Sequence, residues 1–150
     1  MKKNVLLTGG TGFIGKILTE LLIANGFSVS ILSRSVKQNH TDISYFQWDV
    51  DSGTIDEEAI LKADYVIHLA GENIGAKGWT ARRKKAILDS RVKSIKLLYT
   101  CLKLNNKIAI GCLVQWYEIE MIEEYIQSLV NAMELVQNRE NVTIDICMNL

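Results

Sequence analysis

Three glycines near the N-terminus have the type and spacing that bind a phosphate. Gly9, Gly12 and Gly15 form the pattern Gly-x-x-Gly-x-x-Gly, directly after a short apolar run and before apolar residues at helical spacing. Glycines let the backbone approach a pyrophosphate closely, and the N-terminus of the next helix presents free N–H groups to the charge. The pattern therefore predicts dinucleotide binding, whereas glycines without this context often form only a turn. The residues predicted to line this part of the site are Gly9, Thr11, Gly12, Phe13, Ile14 and Gly15.

The segment after the second predicted strand bears on which dinucleotide would bind. An acidic residue about 20 positions beyond the glycine turn usually binds the ribose hydroxyls of NAD. This chain has Ser33, Arg34 and Ser35 there instead. A guanidinium is permanently charged and forms paired hydrogen bonds with a phosphate, and the serine hydroxyls are extra donors. The segment predicts a contact with a 2′-phosphate and hence NADP; the alternative is a solvated arginine in a loop.

Two more polar residues lie at the end of a predicted strand or inside one. Asp49 follows the third strand, where its carboxylate could accept a hydrogen bond from the adenine amino group. The alternative is a turn former, because the sequence from Asp49 to Gly53 favours a turn. His68 lies inside an apolar fourth strand, and we predict a buried, hydrogen-bonded histidine there rather than a ligand. The three cysteines are widely spaced and predict no metal site.

Strand and helix patterns alternate along the chain and would position these groups. Short β-rich runs predict strands, and apolar residues three and four positions apart predict helices. The alternation indicates an α/β fold, a three-layer Rossmann-like doubly wound parallel sheet with right-handed crossovers. The predicted strands cover residues 4–8, 28–32, 44–48, 65–69, 108–114 and 142–148, and the predicted helices 13–25, 57–62, 80–104 and 117–138. The buried stripe predicted for the third helix contains Ile87, Val92, Ile95, Leu98 and Leu102.

The composition indicates a single domain over residues 1–150. The chain has 150 residues, of which 48% are apolar, enough to bury one core. No apolar run is long enough to span a membrane, and the Met-Lys-Lys start lacks the pattern of a signal peptide. Three cysteines, an odd number, are typical of reduced thiols in a cytoplasmic protein. We expect neither nucleic acid nor a membrane as a partner.

The charges are divided between two segments although the formal net charge is zero. Residues 1–107 contain 16 Lys+Arg and 10 Asp+Glu, whereas residues 108–150 contain one basic residue, Arg139, and seven acidic residues. An asymmetry of this kind can mark a tail with a separate role. We interpret it as a candidate junction near 107/108 between segments of different origin.

Several motifs along the chain together form a recognisable set. They are the glycine pattern, Arg34, His68-Leu-Ala-Gly-Glu-Asn-Ile74, Trp79-Thr-x-x-Arg-Lys-x-x-Ile87 and Asp89-Ser-Arg91. With these motifs, the chain resembles over about residues 3–107 the N-terminal half of extended short-chain dehydrogenases, and more narrowly the nucleoside-diphosphate-sugar epimerase-like subfamily. The resemblance implies that Leu69, Ala70 and Gly71 pass close to the cofactor and that the loop after the fourth predicted strand borders the substrate cleft.

The same resemblance implies a reaction class and a substrate class. The chemistry would be hydride transfer at a carbonyl carbon of a nucleotide sugar or a similar compound, with the cofactor as the redox partner. The basic cluster Arg82–Lys85 could attract such an anionic substrate. The alternative for this cluster is a solvated helix face.

The expected catalytic pair departs from the family pattern. Extended dehydrogenases of this kind use a Tyr with a Lys four positions later, and the lysine lowers the pKa of the phenol. In this chain Tyr117 is followed at that spacing by Met121. Tyr99 and Lys103 have the required spacing, but we predict that they are surface neighbours on the third helix. The catalytic residues are therefore not identified, and we expect the chain to be catalytically incomplete.

The segment from Ile108 onward fits this family poorly. It weakly resembles the opening β-α-β unit of a family 2-type glycosyltransferase domain, although it lacks the Asp-x-Asp metal site of those enzymes. One hypothesis is a chimera or a fragment; another is a continuous variant of the subfamily. For the whole chain, a non-catalytic nucleotide-binding module is an alternative to an oxidoreductase.

Overall fold

The computed structural model describes residues 2–35, 37–72 and 80–105. The predicted strands 108–114 and 142–148 and the predicted helix 117–138 lie outside these ranges. In chain order the described elements are β1 (Asn4–Thr8), α1 (Phe13–Ala24), β2 (Ser28–Ser33), β3 (Ile43–Asp49), β4 (Thr54–Ile55), α2 (Glu57–Lys62), β5 (Tyr65–His68) and α3 (Ala81–Leu104).

The strand order across the sheet is β4-β3-β2-β1-β5. β1 pairs in parallel with both β2 and β5, and β2 pairs in parallel with β3. The chain thus moves outward from β1 to β3 and later returns to the other side of β1. Ligands of open α/β sheets bind outside the carboxyl ends of the strands at such a reversal. In this chain the glycine turn follows directly at that point.

Alternate side chains of the central strands form two separate cores. Val5 and Leu7 face α1 and pack with Leu18 and other residues on that face of the sheet. Leu6 faces the opposite side and packs with residues of α2 and α3, including Leu98. Because the central strands are covered on both faces, most of the residues in their interiors are buried and apolar, as in parallel sheets generally. The predicted three-layer architecture is confirmed.

Local signals account for the ends of the helices. α1 ends at Asn25 and Gly26, where Gly26 has a φ of 84°, a backbone conformation that glycine adopts without strain. Asp56 caps α2 by accepting a hydrogen bond from the N–H of Glu58, and Thr80 caps α3 by accepting one from the N–H of Arg83. Within the described part of the chain, no helix is both long enough and apolar enough to cross a membrane.

In addition to the predicted parallel strands, the sheet has one short antiparallel strand that was not predicted. β4 pairs antiparallel with the end of β3, with Trp48 opposite Ile55 and Asp49 opposite Thr54. Gly53, with a φ of 71°, lies in the turn between the two strands. A strand of two residues is too short to produce an alternating pattern, so the sequence indicated only the turn.

The buried face of α3 also differs from the predicted one. Val92 and Ile95 were expected in the core but are 41% and 40% exposed. The helix is rotated so that Ser94 is buried, together with Ile87, Leu98 and Leu102. A serine on a buried stripe has low apparent hydrophobicity, and its hydroxyl is hydrogen-bonded to His68 of β5. The spacing of apolar residues along a helix therefore does not predict that a serine is buried through such a polar contact.

Candidate functional site

The glycine turn follows β1 directly and folds back on itself. The φ of Gly9 is 74°, which residues with a side chain rarely adopt, and its carbonyl oxygen accepts a hydrogen bond from the N–H of Gly12 at 3.0 Å. A Cβ atom on Gly15 would collide with that same carbonyl oxygen. A Cβ atom on Gly9 would lie 2.9 Å from the backbone nitrogen of Ala70. Positions 9 and 15 therefore require glycine for the turn itself, before any ligand is considered.

The N-terminus of α1 has no side-chain cap, unlike those of the other two helices that the structure describes. Gly12 is its N-cap and supplies no side-chain hydrogen bond, and the first turn contains no acidic residue. Asp56 and Thr80, in contrast, cap α2 and α3 through their side chains. Thr11 and Gly12 are exposed, and Phe13 is 64% exposed. Uncapped N–H groups and the helix dipole favour a bound anion, so this helix end fits a pyrophosphate.

Ile14 has a supporting place in this turn. It is half-buried and packs on the core between α1 and the sheet. Its side chain therefore anchors the start of α1, and its backbone N–H is one of the first-turn groups left for an anion.

The predicted 2′-phosphate residues lie beside the glycine turn. β2 ends at Ser33, and Arg34 and Ser35 form the exposed bend that follows. The parallel register pairs Thr8 with Leu32, so this bend and the glycine turn leave the sheet next to each other. No carboxylate in residues 2–35, 37–72 or 80–105 lies within 4.0 Å of the Arg34 guanidinium. The guanidinium is accordingly available to an anion.

Asp49 lies at the carboxyl end of β3 and is exposed. Its Oδ1 atom accepts a hydrogen bond from the N–H of Asp51 at 2.9 Å. Hydrogen bonding from the Ser52 side chain, and then from the backbone N–H groups of Asp51 and Ser52, lowers the pKa of the Asp49 carboxyl. Asp49 is therefore an ionised acceptor that forms a turn. Its contact with adenine stays a prediction.

The loop after β5 is attached to β1 through a threonine. The Thr8 hydroxyl oxygen accepts hydrogen bonds from the N–H groups of Leu69 and Ala70, each at 3.1 Å. Leu69 also donates to the Thr8 carbonyl oxygen at 3.1 Å. Together with the close approach of Ala70 to Gly9, these bonds hold the loop against the glycine turn. The structure thus brings Leu69 and Ala70 to the site predicted for them.

The other side of the same loop is held by α3. The N–H of Glu72 donates to the Ser90 hydroxyl at 3.1 Å, and Arg83 donates to the Glu72 carboxylate at 2.5 Å. The Arg91 guanidinium lies against Gly71, where an added Cβ would be 3.2 Å from the Arg91 Cζ atom. The loop that borders the site is therefore fixed from two directions.

The basic cluster at the start of α3 is only partly a solvated face. Arg82, Lys84 and Lys85 are exposed, and Lys85 pairs with Asp89 at 2.6 Å. Arg83 instead is half-buried and paired with Glu72. Of the four basic residues in this cluster, Arg83 therefore contacts the loop after β5, through Glu72.

His68 is buried at the end of β5, as predicted, and its hydrogen bonds are satisfied. Its side chain lies 2.7 Å from the Thr8 hydroxyl through Nδ1 and 3.1 Å from the Ser94 hydroxyl through Nε2. The Trp48 ring contacts it edge-to-face at 6.4 Å between centroids. Burial, and to a lesser degree the charge of Arg91, lowers the pKa of His68 to about 4. The imidazole is therefore neutral at physiological pH.

The parallel strands bring all the predicted cofactor residues to one edge of the sheet. The glycine turn follows β1, the Arg34 bend follows β2, Asp49 ends β3, and the Leu69–Gly71 loop follows β5. Tyr99, by contrast, is 63% exposed on α3, and its helical position is about 12 Å along the axis from Arg91 at 1.5 Å per residue. The interpretation of Tyr99 and Lys103 as surface neighbours is confirmed. Among the described residues, no group of three or more His, Cys, Asp and Glu side chains could hold a metal ion.

Sequence reasoning missed the residues that hold the loop in place. Thr8 and Ser94 are hydroxyl residues on otherwise apolar buried faces, and that mismatch was the available signal. The motif Asp89-Ser-Arg91 is visible in the sequence, but the contacts of Ser90 with Glu72 and of Arg91 with Gly71 depend on how α3 packs.

Comparison with known proteins gives the family. Residues 5–135 match the family model described as the NAD dependent epimerase/dehydratase family. The chain belongs to this family. The match includes the glycine turn, the loop after β5 and the position 107/108. The predicted glycosyltransferase-like tail finds no support in it.

Curated relatives and solved structures agree with this result. The epimerase family protein YfhF of Bacillus subtilis is 37% identical over 94 residues, which cover 62% of this chain and 30% of that protein. The structure of the human epimerase family protein SDR39U1, solved with NADPH, is 32% identical in sequence and has a TM-score of 0.58. The match covers 77% of this chain and 38% of the human chain. A UDP-N-acetylglucosamine 4-epimerase from Bacillus cereus, 23% identical over 73% of this chain and 35% of its own, shares the fold with a TM-score of 0.57. The Rossmann-like α/β fold is thereby confirmed, and the chain spans about a third of the length of the curated relatives it matches.

Proposed function

We propose that this chain binds NADP as the cofactor-binding part of an epimerase- or reductase-like protein that acts on a nucleotide sugar or a similar substrate. The observation that carries the proposal is the uncapped N-terminus of α1 at the glycine turn, with Arg34 beside it, whose guanidinium has no carboxylate partner among the residues that the structure describes. The turn forms a cradle that a Cβ atom at position 9 or 15 would fill. NADPH in the structure of the human relative supports the same cofactor.

Each part of the dinucleotide has a complementary group at this edge. The first-turn N–H groups of α1 would bind the pyrophosphate, and Arg34 with Ser33 and Ser35 would bind the 2′-phosphate. Asp49 would accept from the adenine amino group. The backbone of residues 69–71 would border the nicotinamide side. The bound nicotinamide would supply hydride-transfer chemistry, while these residues bind and orient it.

The substrate class rests on family membership and on charge. The exposed side chains of Arg82, Lys84 and Lys85 lie on the same helix as the residues that hold the loop after β5. An anionic nucleotide sugar would be attracted to such a basic surface near the cofactor.

We also propose that the 150-residue chain binds the cofactor without turning over a substrate by itself. A tyrosine with a lysine four positions later occurs only once in the sequence, at Tyr99 and Lys103. This pair is exposed on α3 and distant from the loop after β5. The observation favours a nucleotide-binding module as the second candidate function.

The test is a fluorescence titration of the whole chain with NADPH and, in parallel, with NADH. A charge-assisted contact is worth about 1.5–3 kcal/mol, so we expect NADPH to bind roughly tenfold or more tightly than NADH. Arg34→Ala should remove this preference and leave NADH affinity unchanged. Lys103→Ala removes an exposed positive charge at the far end of α3 and should leave the preference intact.

Two results would contradict the proposal. Tighter binding of NADH would show that the site selects the dinucleotide without the 2′-phosphate. Failure of both cofactors to bind a cooperatively folded chain would show that the glycine turn has no ligand of this class. Turnover of a nucleotide sugar by the chain would contradict the non-catalytic proposal alone.

A further inference from the structure

Three side chains from different elements meet behind the loop after β5. Thr8 ends β1, His68 ends β5, and Ser94 lies in the middle of α3. All three are buried, with exposed fractions of 0%, 4% and 2%. Buried polar groups persist in a core only when their hydrogen bonds are made, so the bonds of this group can be assigned one by one.

The bonds of Thr8 determine which nitrogen of His68 carries the proton. The Thr8 hydroxyl oxygen has two acceptor positions, and the N–H groups of Leu69 and Ala70 both point at it. Its single hydrogen is therefore left for the 2.7 Å contact with His68 Nδ1. Nδ1 must accept this bond, so the imidazole proton lies on Nε2.

The bonds of Ser94 complete the assignment. The Nε2–H of His68 donates to the Ser94 hydroxyl oxygen at 3.1 Å. The Ser94 hydroxyl in turn donates to the carbonyl oxygen of Arg91 at 3.0 Å. In this series of hydrogen bonds, which runs from the loop amides to the α3 backbone, every donor then has an acceptor.

We propose that Thr8, His68 and Ser94 form a network that positions the Leu69–Gly71 loop against the glycine turn, with His68 neutral and protonated on Nε2. The expected effect of this network on cofactor affinity rests on the proposed function, because the loop borders the site in which NADP would lie. His68 does not contact the cofactor in this proposal. It acts as a positioning residue, by fixing the hydroxyl that binds the loop amides.

The network requires the neutral imidazole. A second proton on Nδ1 would point a donor at a hydroxyl whose acceptor positions are already used by two backbone N–H groups. The positive charge of Arg91 on α3 acts on His68 and disfavours a second positive charge there, and the Glu72 carboxylate in turn acts on Arg91. Trp48 on β3 is neutral. Protonation would therefore weaken the hold of the Thr8 hydroxyl on the loop amides.

The first experiment measures the tautomer directly. In ¹⁵N-histidine-labelled whole chain, long-range ¹H–¹⁵N spectra distinguish a protonated Nε2 from a protonated Nδ1. The chain contains only two histidines, so His40→Gln leaves the signals of His68 alone. The neutral Nε2–H form at pH 7 supports the network, and an Nδ1–H form or an imidazolium at pH 7 overturns it.

The second experiment separates positioning from general stability. Thr8→Val removes the hydroxyl at nearly constant volume and should raise the hydrogen-exchange rates of the Leu69 and Ala70 amides and weaken NADPH binding about tenfold. Thr8→Ser restores a hydroxyl and should restore both. Ser94→Ala should also weaken NADPH binding, and it should change the ¹⁵N shifts of His68.

Ser30→Ala is the matched control for Ser94→Ala. Ser30 is likewise fully buried and donates one side-chain hydrogen bond, to Asn4 at 2.9 Å. Both variants should lose comparable stability, and only Ser94→Ala should alter the His68 spectrum and NADPH affinity. Equal effects of the two variants on NADPH affinity would overturn the positioning role.

The outcomes also separate this inference from the proposed function. If the wild-type chain binds no dinucleotide, the NADP proposal fails, while the tautomer and amide-exchange results still decide whether the network exists. If NADPH binds and Thr8→Val changes neither its affinity nor the loop amides, the network is overturned and the cofactor proposal stands.

Discussion

At the scale of single residues, one atom decides the shape of the glycine turn. A Gly-to-Ala change within a helix normally stabilises by up to about 1 kcal/mol, because alanine is the better helix former. At Gly15 the added methyl group would meet the carbonyl oxygen of Gly9 and the backbone of Gly10. Steric overlap in a packed site typically costs about 1–3 kcal/mol, so the sign reverses.

We therefore expect Gly15→Ala to lower the free energy of unfolding by about 2 kcal/mol and to abolish NADPH binding. Urea unfolding and the fluorescence titration measure the two effects. Gly26→Ala and Gly53→Ala are the controls, since both have positive φ and open space around the Cβ position. They should cost about 1–2 kcal/mol without changing NADPH affinity. An unfolding free energy above that of wild type in Gly15→Ala would refute this account of the turn.

The buried His68 makes stability depend on pH in a defined direction. Its pKa is about 4 in the folded chain, against an ordinary value of 6.5. Between these values the unfolded chain binds a proton that the folded chain does not, so stability falls as the pH decreases. Above about pH 6.5 the imidazole is neutral in both states and costs no stability. By pH 5 the free energy of unfolding should have fallen by about 2 kcal/mol through His68.

The measurement is the difference in unfolding free energy between pH 7 and pH 5, for wild type and for His68→Gln. Carboxylates contribute in both proteins, so the excess slope of wild type reports His68. His40→Gln, at an exposed position, should retain the wild-type slope. Identical slopes in wild type and His68→Gln would show that the imidazole is not held neutral by the fold.

At the scale of elements, the three helices differ in how their first turns are satisfied. α2 and α3 are capped by Asp56 and Thr80, whereas α1 begins at Gly12 without a side-chain cap. An uncapped helix start forgoes about 1 kcal/mol of stability. Among the helices of residues 2–35, 37–72 and 80–105, the side-chain cap is missing only at the helix end that faces the proposed pyrophosphate.

Gly12→Asp should therefore separate stability from binding. The carboxylate could cap α1, although its Cβ would lie 3.2 Å from the Gly9 carbonyl oxygen, so we expect a stability change within about 1 kcal/mol. It would also occupy the free N–H groups and repel a phosphate, and NADPH affinity should fall at least about tenfold. Asp56→Ala should do the opposite, with about 1 kcal/mol less stability and unchanged affinity. Unchanged affinity in Gly12→Asp would place the phosphate elsewhere.

At the scale of the whole molecule, both described cores are formed by residues between Val5 and Leu102. The family match continues to residue 135 and crosses the predicted junction at 107/108. The two observations lead to a test of whether the described residues depend on the remainder of the chain.

We predict that a chain truncated after Lys107 unfolds cooperatively and binds NADPH with the affinity of the whole chain. Truncation after Val92 is the control, since it removes Ser94, Leu98 and Leu102 from the core. Each buried leucine is worth about 2–5 kcal/mol, so the shorter chain should not fold. Loss of cooperative unfolding in the chain ending at Lys107 would mean that residues 108–150 belong to the same folding unit.

The sequence alone determined the parts of this protein that depend on local sterics and periodicity. The predicted bounds of β1 and α2 agree with the structure to the residue, and the position of the glycine turn between β1 and α1 follows from spacing along the chain. Glycine at a positive φ and apolar alternation act over a few residues, which is why the sequence displays them.

Only the tertiary structure decided the buried face of α3, the antiparallel β4 and the hydrogen-bond partners of His68. The Thr8–His68 bond joins residues 60 positions apart, and the His68–Ser94 bond joins residues 26 apart. Ser94 lies on the buried side of α3, where its hydroxyl is hydrogen-bonded to His68 of β5, and Val92 lies on the exposed side of the same helix. Contacts of this range depend on how layers pack, and no period within a single segment encodes them.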